Sequence, residues 1–339
     1  GIEMLPPEVG VPTVRRELVA GGFKGEILAG GALGILVEER HPTGGLDLAK
    51  VNANDWLMVG NVTAYKLYGG LQAETVLDPK QEPFLYDHAM EGTPLLPGVM
   101  GTETFAELAA LMVPGYAVVA VENEDFHAPF KFYRMEPQRL ILVGTAVPHE
   151  NEILVHTQLL SRRELKTGVQ EKLHFTATVR LAAKAPKASK LKFTAPKAEE
   201  MAIVADNIYK IYFHGPAYQV LESVQVAGDK AIGLLAESLP ANANPANAPE
   251  LIAPRLVEFC FQTAGVWEIH TKQQMALPLA IGRVTAYKQE AEAKGRLYAI
   301  VEAIDGGAAF TAQVVDKSGN VFVALDGYRT VALPGTVSL

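Results

Sequence analysis

Apolar and polar positions alternate along much of this chain in strand-sized runs, and twice the pattern switches to a helical period. Between Val99 and Met112 the apolar residues Met100, Phe105, Leu108, Ala109 and Met112 fall mostly at helical spacings, with Gly98 just before and Pro114 just after. This predicts a helix with one broad face on a core. Strand-type runs follow at Tyr116–Glu122, Arg139–Thr145, Ile153–Leu160 and Lys172–Leu181. A second helical stretch, Arg255–His270, is followed by runs at Ala280–Tyr287, Gly295–Ala303, Ala309–Val315 and Val321–Val331. No sequence repeat is legible, yet the order of elements recurs. The pattern predicts an α+β protein with two antiparallel sheets, each carrying one long central helix.

The flanking segments read differently. Residues 1–45 combine a short helix (Pro12–Val19) with glycine-rich turns and an apolar run, Glu26–Val37. The GGALG segment at Gly30–Gly34 lacks the GxGxxG spacing and no helix pattern follows it, so it reads as a turn rather than a dinucleotide site. Residues 183–200 hold Pro186, Pro196 and five lysines. They read as a solvated linker, compatible with a basic docking strip for an acidic partner. Residues 46–182 and 201–333 are then two comparable units around this linker.

Composition narrows the function classes. A chain of 339 residues is the size of roughly two domains. With 49% hydrophobic and 20% charged residues it can bury a large core, which excludes general disorder. No apolar run reaches the length of about 18 residues that a membrane helix needs, so no membrane span is expected. The single cysteine, Cys260, can form no internal disulfide and no cysteine-based metal site, and points to a reducing, cytoplasmic setting. A net charge of −8 counts against nucleic-acid binding. The first residue, Gly1, where a Met would stand, leads us to expect a piece of a longer chain.

The strongest chemical signal is PFLYDHAMEGTPLLPGVMGTETF, residues 83–105. His88, Gly92, Pro97 and Gly98 fit H-x3-G-x4-P-G. Histidine titrates near neutrality and can serve as a base. Gly92 permits a tight backbone path, Pro97 ends the loop and Gly98 opens the helix. The first backbone N–H groups of that helix can hold a carbonyl oxygen as negative charge develops on it. The competing reading is an ordinary loop histidine.

A second signal is APRLVEFCFQTAGVW, residues 253–267. Glu258 and Gln262 stand at i and i+4, on one face of the helix. Their apolar neighbours predict burial, which raises a carboxyl pKa and suits a proton donor. The alternative is a carboxylate at the solvent end of a core helix. A third segment, IYFHGPAYQVLESV (residues 211–224), has a Gly215–Pro216 turn, a possible strand start at Tyr218, and His214 as a possible site residue. Its aromatic residues also suit a core. The six other histidines show no HxH or HExxH spacing, so no metal site is expected.

Taken together these motifs resemble the dehydratase domains of modular polyketide synthases and related fatty-acid synthases, over residues 45–333. The first motif matches in full. In the second, Glu258 stands where the family has Asp, while Gln262 keeps its place. In the third, the family's YGPxF reads His214-Gly215-Pro216-Ala217-Tyr218, with His for the first Tyr and Tyr for the Phe. The closing VVDKSGNVFVALDGYRTVAL is also similar, and GEILAGGALG is loosely similar to the tail of a neighbouring ketoreductase.

The resemblance implies a double-hotdog fold that dehydrates a 3-hydroxyacyl thioester to a trans-2-enoyl thioester. His88 would take the α-proton, the Gly98 N–H would bind the thioester carbonyl, and Glu258, protonated or sharing a proton with water, would assist the leaving hydroxyl, oriented by Gln262. Gly92, Pro97, His214 and Tyr218 complete the expected substrate-side set. No cofactor is implied beyond the phosphopantetheine arm of an acyl carrier protein. That carrier, the neighbouring synthase domains and a second copy in a homodimer are the implied partners. Lys131, Arg134, Arg255 and the linker lysines are candidates for docking an acidic carrier. Two alternatives stand beside dehydration. One is another hotdog reaction, double-bond isomerisation or cyclisation. The other is a non-catalytic carrier-binding or dimerisation domain, suggested by Glu258.

Overall fold

The computed structural model describes residues 4–20, 29–30, 47–52, 56–66, 70–165, 168–188 and 190–339. The GGALG turn beyond Gly30 and most of the Glu26–Val37 run lie outside the described residues. The short N-terminal helix forms, longer than its pattern suggests, as α1 (Pro7–Ala20), followed by a single turn, α2 (Leu48–Val51).

The first unit begins with β1 (Asn61–Lys66), β2 (Gly70–Leu77) and one turn of helix, α3 (Pro83–Tyr86). A small hairpin, β3 (Ala89–Met90) and β4 (Thr93–Pro94), leads into the central helix α4 (Gly98–Met112). Four long strands then wrap that helix: β5 (Ala117–Phe126), β6 (Gln138–His149), β7 (Glu152–Leu165) and β8 (Gly168–Ala182). The second unit repeats the plan with β9 (Ile203–Val204), α5 (Ala205–Ile208), β10 (Leu221–Ala227), β11 (Lys230–Leu235) and the central helix α6 (Pro254–Lys272). It closes with β12 (Ala276–Ala286), β13 (Leu297–Ile304), β14 (Ala309–Asp316) and β15 (Val321–Ala332).

Both central helices are buried nearly all round, as their apolar content requires. Helix α4 nonetheless carries two buried glutamates. Glu107 accepts from the N–H groups of Met58 and Val59 at 2.7 and 3.0 Å, and Glu103 from those of Leu251 and Ile252 at 2.6 and 2.9 Å. Glu103 thereby ties the first unit's helix to the loop leading into the second unit's helix. Capping bonds of this kind let carboxyl groups lie in a core without orphaned backbone donors.

The two expected sheets, one on each central helix, are joined edge to edge. All the long strands belong to one antiparallel sheet in the order β1-β2-β6-β7-β8-β5-β12-β15-β14-β13-β11-β10-β9. The seam is the β5–β12 pair, where Val121 faces Val284 and Glu124 faces Ile281. An edge strand with free N–H and C=O groups seeks a partner, and here the inner edges of the two units satisfy each other. Across the seam Arg283 pairs with Glu122, which also holds Arg180. One correction concerns Tyr218: Pro216–Tyr218 is a tight 3-10 turn, and the strand starts at Leu221. Residues 183–188 and 190–200 form no strand, but Leu191 and Phe193 pack against the outer side of the second unit's sheet beside Tyr298. No helix among the described residues is long and apolar enough to cross a membrane.

Candidate active site

His88 follows α3 directly, and the β3–β4 hairpin folds the chain back onto it. The turn requires Gly92, whose φ is +76°, in the left-handed region that favours glycine. The result is a double clamp: the Leu95 N–H donates to the His88 carbonyl, and His88 Nδ1 donates to the Leu95 carbonyl, each at 2.9 Å. This fixes the tautomer, leaving Nε2 with a free lone pair. Two residues on, Pro97 caps α4, and the first amides of that helix, Gly98 and Val99, have no acceptor within it. The H-x3-G-x4-P-G spacing is therefore one hairpin plus one helix start, and it brings the His88 imidazole and the first amides of α4 to the same cavity.

The second unit's contribution is zipped onto the first. His88 and His214 form an isolated antiparallel bridge, Gly215 N–H donates to the Asp87 carbonyl at 2.7 Å, and Ala217 N–H donates to Asp87 Oδ2 at 2.8 Å. A Cβ on Gly215 would sit 2.4 Å from Asp87 Oδ1, so only glycine allows this approach. The His88 and His214 rings lie 5.3 Å apart between centroids.

From α6, Glu258 projects into the same place. Its Oε1 lies 3.2 Å from His214 Nε2 and accepts from Gln262 Nε2 at 2.9 Å, so neither contact uses Oε2. Gln262 is itself fully committed. Its Nε2 also donates to the Tyr218 carbonyl at 2.8 Å, and its Oε1 accepts from the Tyr209 hydroxyl at 2.8 Å. The Tyr209 oxygen in turn accepts from the Leu221 N–H at 2.8 Å. Gln262 therefore orients Glu258, as its i+4 spacing suggests.

These groups have perturbed proton affinities. Burial, reinforced by His214, lowers the His88 pKa from 6.5 to about 4, so the ring is neutral and ready to accept a proton. For Glu258 the expectation of a raised pKa fails. Burial does push it up, but the hydrogen bond and charge of His214, helped by His88 and Gln262, outweigh burial and hold the carboxyl below its usual range. A carboxyl paired with an imidazole behaves unlike one surrounded by hydrocarbon, and the sequence pattern revealed only the hydrocarbon.

The site opens into a cavity of about 340 Å³ lined at one end by His88, Gly98, His214, Glu258 and Gln262. Apolar side chains such as Phe126, Phe175, Phe261 and Leu277 form much of the remaining wall. Gly92, Pro97 and Tyr218, expected on the substrate side, do not line it. Gly92 and Pro97 shape the hairpin and helix start, and Tyr218 is fully buried behind His88, its ring 6.0 Å from the imidazole. Asp87, Tyr209 and Glu268 are the residues that sequence reasoning missed. Among the described residues no cluster of His, Cys, Asp and Glu could hold a metal ion, and Cys260 is buried with its thiol pKa pushed far up by burial.

Two family profiles cover the two units: the polyketide synthase dehydratase domain matches residues 58–162, and the polyketide synthase dehydratase N-terminal domain matches residues 199–339. The chain belongs to the polyketide synthase dehydratase family. Members of this family are hydro-lyases acting on 3-hydroxyacyl intermediates. Among solved structures, the dehydratase domain from the CurF module of curacin polyketide synthase superimposes with a TM-score of 0.69 at 20% identity, covering 83% of this chain and all of that one. A trans-AT polyketide synthase dehydratase domain from Brevibacillus brevis gives 0.67 at 21% identity, again covering 83% of this chain and 100% of its own. The fold is thus the double hotdog. One component of the polyunsaturated fatty acid synthase of Thraustochytrium sp. is 23% identical over 296 residues, which is 85% of this chain and 9% of that component. The chain therefore spans under a tenth of the length of this relative. The two positions at which the chain departs from the family motifs, His214 and Glu258, are in contact at 3.2 Å.

Proposed function

We propose that this dehydratase removes water from a 3-hydroxyacyl thioester presented by an acyl carrier protein, with the proton for the leaving hydroxyl supplied by the His214–Glu258 pair. The single observation that carries this reading is the His88 ring, held through Nδ1 by the Leu95 carbonyl, lying 5.3 Å from the ring of His214, whose Nε2 is 3.2 Å from Glu258. His88 Nε2 takes the proton from the α-carbon. The electrons of that C–H bond form the Cα=Cβ bond as the Cβ–O bond breaks. The hydroxyl leaves as water with the proton of the pair, and the proton on His88 then returns the pair to its starting state. The Gly98 N–H, backed by the α4 dipole, holds the thioester oxygen as charge builds on it. A positioned base of this kind contributes about 10²–10⁴-fold.

An acidic carrier needs a local basic surface on a chain of net charge −8. A groove of about 450 Å³ shares Pro129 with the acyl cavity and is lined by Lys131, Arg163 and Lys172, which form no ion pair among the described residues. Lys131 is therefore favoured as a docking residue. Arg255 is not, because it is held by Glu290 and the Pro240 carbonyl. A cytoplasmic setting and a homodimer complete the proposal, and sedimentation of the isolated chain tests the dimer. The decisive experiment is incubation with a 3-hydroxyacyl-pantetheine thioester followed by mass and structural analysis of the product. Loss of one water with a trans-2 double bond supports the reading. An unchanged mass with a shifted double bond, a cyclised product, or binding without turnover overturns it.

A further inference from the structure

The cavity has a second polar point that the dehydration chemistry leaves unused. Along α6, Glu258, Gln262, Gly265 and Glu268 all line it, a stripe on one helix face. Glu268 lies ten residues beyond Glu258, which places it about 15 Å further along the helix axis. It is 5% exposed. Its Oε1 accepts from the Thr330 hydroxyl of β15 at 2.8 Å, and Lys272 Nζ stands 4.0 Å away, already donating to the Gly307 carbonyl at 3.0 Å. Its Oε2 is buried with no partner at all. Burial keeps the carboxyl above its usual pKa, partly offset by Thr330 and Lys272. A carboxyl set in the wall of an acyl cavity, with one oxygen fixed and the other unsatisfied, carries a standing cost that a matching ligand group removes.

We infer that Glu268, oriented by Thr330, is a second binding point in the cavity, taking a hydrogen-bond donor that the substrate carries on the order of ten chain bonds from the reacting carbon. The inference deepens the dehydratase reading and rests on it for the identity of the substrate. Two parts of such a substrate present a donor at that range: a hydroxyl far along the acyl chain, or the outer amide N–H of the pantetheine arm. A plain hydrocarbon chain at this point would bury Oε2 without compensation.

The test uses the full chain and four unreactive amide analogues of the thioester. One pair carries a straight saturated chain on pantetheine or on N-acetylcysteamine, and the other carries the same chain with a terminal hydroxyl. Calorimetry should find a donor-bearing ligand bound about tenfold more tightly than its donor-lacking counterpart. The hydroxyl comparison and the pantetheine comparison separate the two sources. Glu268→Leu should abolish the difference, and Glu268→Met, closer in shape, repeats the test should the first variant fail to fold. Equal affinities for all four ligands, or a difference that survives the substitutions, overturns the inference. Because the ligands cannot react, a protein that shows the binding difference but dehydrates nothing would sink the functional reading and leave the subsite standing.

Discussion

Glu258→Asp restores the residue that the family carries at this position, and the structure argues that here it does harm. Removing one methylene draws the carboxylate back by about 1.5 Å. From 3.2 Å to His214 Nε2 and 2.9 Å to Gln262 Nε2, both contacts would lengthen to about 4 Å or more, outside hydrogen-bond range. Each such bond to an ionised group contributes about 1.5–3 kcal/mol. His214 would suffer twice, because its Nδ1 is already buried without a partner. A displacement of about 1 Å in a reacting constellation costs on the order of 10²-fold in rate. We expect Glu258→Asp to lower kcat for enoyl thioester formation by about 10²-fold, with KM moving less, in a protein whose circular dichroism is that of wild type. Wild-type kcat in this variant would refute the claim that the reach of glutamate is matched to His214.

Other outcomes follow from the same geometry. If the two family departures act as one pair, His214→Tyr combined with Glu258→Asp should be more active than the product of the single losses allows, with a coupling of at least about 0.5 kcal/mol in a double-mutant cycle; strict additivity would contradict the pairing. Because the His88 pKa is lowered to about 4, that residue favours the folded state above pH 6.5, and the benefit fades as pH falls toward 4. Urea unfolding should therefore show wild type losing about 2 kcal/mol more than His88→Gln between pH 7 and pH 5; equal losses would mean that His88 is not held neutral. Gly215→Ala places a methyl 2.4 Å from Asp87 Oδ1 and should cost about 1–3 kcal/mol in thermal unfolding. An unchanged Tm would show that the Asp87–Gly215 junction is looser than described.

Much of this protein is legible along the chain because the informative signals are local. Helix α4 and the strands around it follow from periodicity, and His88 with Gly98 follows from a spacing that one hairpin and one helix start impose. Gln262 is legible as the partner of Glu258 because i and i+4 share a helix face. The signals that fail depend on distant pairing. Nothing local in Ala117–Phe126 or Ala276–Ala286 says that these strands pair with each other and fuse two sheets into one. The Glu258 proton affinity is misjudged because the deciding neighbour, His214, lies 44 residues away in sequence and arrives through the Asp87 junction. Asp87 could have been noticed as the residue before the motif histidine, opposite a Gly-Pro turn that must close on something. Tyr209 and Glu268 carry no local signal, since their roles appear only when the cavity and the Gln262 network are assembled.

We propose that His88 Nε2 removes the α-proton. The direct measurement is the rate of water loss from a 3-hydroxyacyl-pantetheine thioester by wild type and by His88→Ala, followed by mass spectrometry. A loss of at least about 10²-fold is expected in a folded variant. Dehydration by His88→Ala at the wild-type rate would contradict it.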